Sequence, residues 1–396
     1  MSDPSDPVVI ASYARTPMGG LQGALSEVKA TRLGAAVVAA AVERAGVDAA
    51  NVDHITMGCV LPGGLGQAPA RQAAIFAGLG EHVPATTINK MCGSGMQAAI
   101  MAHDALLSGS CEVAVAGGME SMSRAPYLLQ KHRGGARIGH DAVKDSMFLD
   151  GLEDAYEEGK LMGAFADEAA RDYQIGREVQ DEYAVRSLTL AKKASESGAF
   201  DREIVPVMVQ TRKGEHEIAR DEQPFKADPD RIATMKAAFT RGGTVTAANA
   251  SSISDGAAAM VLTRASTADR LGMKVAARIV GHASHAHAPN LFTTAPVFAT
   301  RKLMERTGWT MADVDLFEVN EAFAVVALIA ERELGIDRDR LNVNGGACAL
   351  GHPIGASGAR IMATLLGEME NRDARRGIAS ICIGGGEAIA IALERG

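Results

Sequence analysis

The residues with the most chemistry to offer are two cysteines and a histidine, each set beside glycines. In Asn89-Lys90-Met91-Cys92-Gly93-Ser94-Gly95-Met96, Cys92 stands where a strand is expected to turn into a helix. A thiol at a helix N-terminus meets free backbone N–H groups and the positive end of the helix dipole, which favour thiolate. Thiolate is the attacking form, so the placement suits covalent catalysis, and equally a core cysteine beside a tight turn. The segment Asn344–Gly358 is a glycine-dense loop that holds His352, and an imidazole near its ordinary pKa takes a proton from a thiol at neutral pH. Ile381-Cys382-Ile383-Gly384-Gly385-Gly386 sets a second cysteine on a strand end, beside glycine N–H groups of the kind that build an oxyanion hole. Asn320, in Glu318–Phe323, occupies another strand-to-helix junction, as an amide for the site or as an N-cap.

The elements that must position these groups alternate short β-branched runs with helical ones, the rhythm of α/β layering. Strands are expected at Val8–Ala14, His54–Cys59, Thr86–Asn89 and Val113–Ala116, with helices around Thr31–Ala45, Ala70–Ala77 and Met96–Leu107. From 121 to about 245 charge rises and the rhythm breaks, which reads as an insertion. Arg177–Ser197 is an amphipathic helix there, and Asp201–Val209 with Glu215–Ile218 form a hairpin around Lys213-Gly214. The α/β pattern then resumes: strands at Ala257–Leu262, Ala276–Gly281, Leu316–Glu318 and Gly377–Ile383, helices at Ala299–Thr307, Ala322–Glu333 and Gly358–Glu370. Each half has a glycine-rich turn feeding a helix, then an apolar strand ending in glycines, which suggests an internal duplication.

Composition removes several classes. At 396 residues and 47% hydrophobic, the chain can bury a large core, so disorder is excluded. A net charge of −8 without long basic runs does not suit a nucleic-acid partner. Five cysteines, an odd number without a CxxC pair, argue against a disulfide scaffold. Met1–Pro7 lacks the pattern of a signal or transit peptide, and no apolar run approaches the ~20 residues that span a bilayer. A cytoplasmic enzyme with no membrane partner is the expectation.

Taken together, the 89–96 segment, the Asn320–Ala324 run, the Gly351–Gly358 loop and the Cys382–Gly386 end resemble the thiolase family. The resemblance runs from Arg15-Thr16-Pro17 through Gly242–Asp255 to the glycine triplet. It implies an α/β thiolase fold: duplicated halves in a five-layer α-β-α-β-α arrangement with an inserted loop domain. The N-terminal half would comprise residues 1–120 and 246–272, the loop domain 121–245 and the C-terminal half 273–396. It implies Cys92 as the acylated nucleophile and His352 as its activator. His352 would also bind the thioester oxygen, together with a water held by Asn320. Cys382 would be the acid/base at the α-carbon, and the N–H groups of Cys92 and Gly384 a second oxyanion hole. Ser251, Ala250, Phe239 and Met162 would line the coenzyme A and acyl site. The reaction would be the reversible Claisen condensation of two acetyl-CoA to acetoacetyl-CoA, or thiolysis of a 3-ketoacyl-CoA. No metal or prosthetic group is implied, the partners being acyl-CoA thioesters and further copies of the chain, as a tetramer or a dimer.

The chain also departs from the family's pattern. Leu161 precedes Met162-Gly163 where short-chain members carry histidine, and Ala288–Thr294 replaces a Met-Gly-containing stretch near the acyl pocket. Cys348 stands where an aliphatic residue is usual and reads as a small hydrophobe or as an oxidation-sensitive thiol. His282, His285 and His287 invite a metal, but no carboxylate or cysteine lies near them in sequence, and they read as polar lining or surface. Lys131, Arg133, Arg137, Lys213 and Arg220 are the basic candidates for the coenzyme A phosphates, each equally a solvated charge. The competing functions are a longer-chain 3-ketoacyl-CoA thiolase, a decarboxylating condensing enzyme, which lacks the second cysteine, and a non-catalytic CoA-binding protein of the same fold.

Overall fold

A computed structural model describes residues 6–212 and 214–396. Lys213 and residues 1–5 lie outside the described residues. The α/β elements come twice. The first set is β1 (Val8–Arg15), α1 (Ala30–Ala45), β2 (His54–Gly58), α2 (Pro69–Phe76), β3 (Ala85–Ile88), α3 (Ser94–Leu107), β4 (Val113–Ser121) and, after an insertion, β5 (Ser254–Arg264). The second is β6 (Ala277–Ala286), α4 (Ala295–Thr307), β7 (Leu316–Val319), α5 (Ala324–Leu334), α6 (Ile354–Asn371), β8 (Arg376–Ile383) and β9 (Glu387–Glu394).

Both sets pair their strands in the same way. In the first, β2 runs parallel to β3 and β4, while β5 lies antiparallel between β4 and β1. In the second, β7 runs parallel to β8, while β9 lies antiparallel between β8 and β6. Strand order is therefore β2-β4-β5-β1 in one half and β7-β8-β9-β6 in the other. A short antiparallel contact, Val9 with Arg278 and Ile10 with Ala277, joins these nine strands into one path, and Gly19–Gly20 pairs with β5 as a tenth strand off it. The outermost strand of the first half, β3, has only an isolated bridge, Phe317 with Leu341, as its counterpart in the second.

Helices α1 and α2 cover one face of the first half, α4 and α5 one face of the second, and α3 with α6 lie between the halves. This gives five layers. The middle helices carry the burial expected of that position, since residues 354–369 of α6 are all buried. An α-helix apolar on every side is a core helix. Its close approach to α3 needs glycine: a Cβ on Gly95 would stand 2.7 Å from the backbone nitrogen of Ala359. One on Gly118 would stand 2.0 Å from the carbonyl oxygen of Gly355.

The insertion holds helices Met162–Asp172 and Arg177–Ser197 and a hairpin of Val207–Thr211 with Gly214–Ile218. It is tied down by a buried cation: the Arg15 guanidinium donates to Glu203 at 2.5 Å and to Asp221 at 2.7 and 2.9 Å. Four sequence expectations need correction. The first hairpin arm begins at Val207, not Asp201, because residues 198–204 close a turn that hands Glu203 to Arg15. The loop through Gly358 is already helical from Ile354, its glycines serving close packing. Helix Met162–Asp172 and the last strand, Glu387–Glu394, were not anticipated. No helix among the described residues is long and apolar enough to cross a membrane.

Gly118→Ala is expected to cost about 3 kcal/mol or more, as overpacking against backbone that cannot move aside. Gly134→Ala meets open space and is expected to change stability by less than about 0.5 kcal/mol. Urea midpoints of the two variants test this, and equal midpoints contradict it.

Candidate active site

Four strand or loop ends converge where α3 and α6 begin. Cys92 precedes α3 by a single-residue cap, Gly93, and the turn is locked by a Ser94 hydroxyl that accepts from Lys90 N (2.8 Å) and donates to the Met91 carbonyl (2.7 Å). Met91 takes a positive φ of 46° to make the corner. His352 precedes α6 by Pro353, and Ile354 shares an apolar cluster with Met91 and Cys92. Cys382 sits near the end of β8, and the chain turns there at Gly384–Gly386 into β9. Asn320 follows β7, its N–H bonded to the Ser380 carbonyl at 2.9 Å, two residues before Cys382.

The first cysteine's sulfur receives the backbone N–H groups of Gly384 and of Cys92 itself. Burial nevertheless outweighs them and pushes the Cys92 thiol up to about 11. The sequence expectation of a resting thiolate is thus corrected: the helix terminus helps, but desolvation of a charge in a closed site costs more. Cys382 is deeper still, and burial first, then the neighbouring Cys92 sulfur, push its thiol well up. The Cys92 sulfur acts on Cys382, and Gly384, two residues beyond Cys382, offers its N–H to Cys92, so both share one site.

His352 is pushed the other way, down to about 3, by burial and by the Arg360 guanidinium. Its Nδ1 lies 2.5 Å from the Ser357 hydroxyl, which donates its own proton to the Pro353 carbonyl at 2.9 Å. A hydroxyl has one proton, so the Ser357 oxygen must accept from Nδ1–H. Nε2 is then the bare nitrogen, and it has no hydrogen-bond partner. The structure therefore presents a neutral imidazole with its basic nitrogen free.

Around this set stand groups that the sequence reading missed. Glu120, buried near the end of β4, accepts from the N–H groups of Val60, Leu61 and Gly355 at 2.9–3.1 Å. It pins the start of α6 to the loop after β2, and burial pushes its carboxyl up to about 7 despite those donors. Glu321 accepts from Tyr183 (3.0 Å), Ser187 (2.7 Å), Asn342 (2.9 Å) and the Cys348 N–H (3.1 Å), fastening the insertion beside Asn320. Arg360, on an apolar helix, touches Asn320. The available signal was a lone charge inside an apolar run, as Glu120 is in β4 and Arg360 in α6.

The predicted binding residues gather on one side. Ala250 bridges to Phe323, and Ser251 N–H bonds to the Ala322 carbonyl at 2.9 Å. Phe239 packs edge-on to Phe323, with ring centres 5.9 Å apart, and closes over Gly163. The Met162 sulfur lies 3.5 Å from the position of a Cβ on Gly384. The divergent stretch also arrives here, since Gly386 abuts the carbonyls of His287 and Ala288 and Phe292 packs against Phe323. The Cys348 sulfur lies 3.6 Å from the Asn249 carbonyl, against the core, and burial pushes its thiol well up. Of the basic candidates, Lys131 reaches the His140 carbonyl and Arg220 lies over the Phe225 ring, so neither meets the catalytic groups in this structure. Arg133 and Arg137 are exposed. His282 faces His103 and Asp104 rather than its sequence neighbours, while His285 and His287 meet at 3.4 Å.

Residues 8–266 match the thiolase N-terminal domain family and residues 273–395 the thiolase C-terminal domain family. The chain belongs to the thiolase family. An acetyl-CoA acetyltransferase of Cupriavidus necator is 48% identical over 396 residues, covering 98% of this chain and 99% of the relative. Acetyl-CoA acetyltransferase 2 of Arabidopsis thaliana is 48% identical over 390 residues, covering 98% and 96%. The crystal structure of the Bacillus anthracis acetyl-CoA acetyltransferase superposes with a TM-score of 0.95 at 41% identity, covering 98% of each chain. The thiolase fold of duplicated halves is thereby established.

With His352 neutral far below the ordinary imidazole value of 6.5, no inflection near that value is expected in the pH profile of kcat/KM. Ser357→Ala frees Nδ1 and is expected to lower kcat by ~10- to 100-fold, as loss of a partner that orients a reacting imidazole does. Steady-state thiolysis at several pH values measures both.

Proposed function

We propose that this thiolase is an acetyl-CoA C-acetyltransferase that works through an acetyl group carried on Cys92. The observation that supports it best is the nearness of the two cysteines: the Cys92 sulfur acts on Cys382, and the Gly384 N–H, two residues beyond Cys382, meets Cys92. One thiol is set for covalent work and a second for proton transfer.

The proton inventory follows from the resting states. Both sulfurs start as thiols and His352 as a neutral base. Nε2 takes the Cys92 proton as the sulfur attacks the thioester carbonyl. The N–H groups of Cys92 and Gly384 meet the oxygen of the tetrahedral intermediate. The departing coenzyme A sulfur takes its proton from Cys382. This leaves acetyl-Cys92, an imidazolium at His352 and a thiolate at Cys382. A sulfur so reluctant to ionise is a strong base once ionised, and it removes the α-proton of a second acetyl-CoA. The imidazolium Nε2–H and the Asn320 amide, through a water, stabilise the enolate oxygen. The carbanion attacks the acetyl group, a carbon–carbon bond forms, the Cys92–carbon bond breaks, and the imidazolium returns its proton to Cys92. Thiolysis is the same path reversed.

Ser251, Ala250, Phe239 and Met162 form the wall along which pantetheine and the acyl group lie in this reading. The division into an N-terminal half (1–120 and 246–272), a loop domain (121–245) and a C-terminal half (273–396) is proposed with it. The chain is read as cytoplasmic and as a tetramer built from dimers. Exposed Tyr127, Leu129, Ile138 and Val143, clustered in sequence on the insertion, support a further contact there.

Mass spectrometry after incubation with acetyl-CoA is expected to find one acetyl group on the wild type and none on Cys92→Ala. Cys382→Ala is expected to accept the acetyl group in a single slow event yet make no acetoacetyl-CoA. An adduct that survives Cys92→Ala contradicts the assignment. Acetoacetyl-CoA is expected to be cleaved faster than six- or eight-carbon 3-ketoacyl-CoA; a preference for the longer ones by more than about tenfold, some 1.4 kcal/mol, would point instead to a longer-chain thiolase. Ile138→Asp is expected to shift the sedimentation profile from tetramer to dimer, and an unchanged profile removes the insertion from the interface.

A further inference from the structure

Arg360 is 1% exposed at its side chain, in the interior of the middle layer, and its environment is unusual for so expensive a burial. Its nearest carboxylate, Glu318, is 3.8 Å away, beyond hydrogen-bond distance. Its Nε and one terminal nitrogen have no partner, and the other terminal nitrogen contacts the Asn320 Oδ1 at 3.5 Å. A buried guanidinium that served only structure would be forked onto a carboxylate, as the Arg15 guanidinium is onto Asp221. Arg360 instead spends its contact on an active-site amide.

That contact carries information. Arginine has donors and no acceptor, so the Asn320 atom facing it must be the oxygen. The amide nitrogen is thereby turned the other way, and it is buried without a partner. A carboxamide left to itself presents either end; this one can present only its N–H donors to the site. The same guanidinium is the charged group that weighs on His352. Other charges near it are Glu318 from β7, Glu321 just beyond, Glu203 from the insertion and Arg15 from β1. Glu120 sits at the start of α6 on the other side, against Gly355. His352 itself is faced by the Ser357 hydroxyl and has no carboxylate in contact.

We propose that Arg360 is a positioning residue for the Asn320 side of the oxyanion-binding pair: it turns the Asn320 amide N–H toward the reacting thioester oxygen. The inference rests on the thiolase reading of the site. An arginine is suited to turning the amide because it does not lose its own charge at working pH.

The test uses the full chain and two kinds of replacement. Arg360→Met with Glu318→Gln removes the buried pair together, leaving no unpaired carboxylate to unfold the core. Arg360→Lys keeps the charge but not the reach to Asn320. The double variant is expected to stay folded by circular dichroism and to lose ~100-fold in kcat with KM for acetoacetyl-CoA changed less than about threefold. Arg360→Lys is expected to lose ~10-fold in kcat. A double variant that keeps kcat within about twofold of the wild type overturns the proposal, as does one whose loss lies in KM rather than kcat. If the wild type shows no thiolysis, the thiolase reading falls separately.

Discussion

The structure depends on two helices touching backbone to backbone at the centre of the molecule. Helices α3 and α6 meet at glycines, where an added Cβ on Gly358 would stand 2.5 Å from the backbone nitrogen of Met96. Both helices start at this contact, so their N-terminal ends, with Cys92 before one and His352 before the other, are brought together by packing alone. A side chain at any of these glycines would separate the reacting groups as surely as it would strain the core. Glu120 adds the second constraint by gripping Val60, Leu61 and Gly355 in one carboxylate, which fixes the start of α6 against the strand ends of the other half.

On this frame the electrostatics are those of a closed site. Burial keeps both thiols protonated and the imidazole unprotonated, so the resting protein carries no ion pair between Cys92 and His352. Charge appears only when a thioester arrives to share it. Met162, Phe239, Phe292 and Phe323 gather on one side of it and offer little to solvate a stray ion. Helix-terminus and N–H effects, which on their own would favour thiolate, are present but subordinate.

Much of this was legible in the sequence, and the limit has a physical cause. Strand and helix positions in both halves followed from apolar periodicity, because core elements buried on one or both sides write their burial into the residue pattern. The amphipathic helix Arg177–Ser197 was legible from end to end. Gly384 and Cys382 were legible as a strand end with donors, and Cys92 as a helix start. Helix Met162–Asp172 was not, since its buried face sets a carboxylate, Asp167, among alanines, a glycine and a single phenylalanine. The direction of the thiol shifts was also invisible, because sequence shows the helix terminus but not the depth. The partner of His352, Ser357, comes from a helix turn that the glycine pattern had disguised as loop.

The repeat of the fold has one more consequence. Matching the strand order of the halves sets the start of α3 against the start of α6, so Cys92 and His352 occupy equivalent corners of two copies of one scaffold. The backbone supplies the same geometry twice and is indifferent to what stands on it. What turns a near-symmetric pair of corners into a directed reaction is only that one holds sulfur and the other an imidazole. The polarity of the chemistry, which group gives and which receives, is thus written in two side chains laid over a frame that has none.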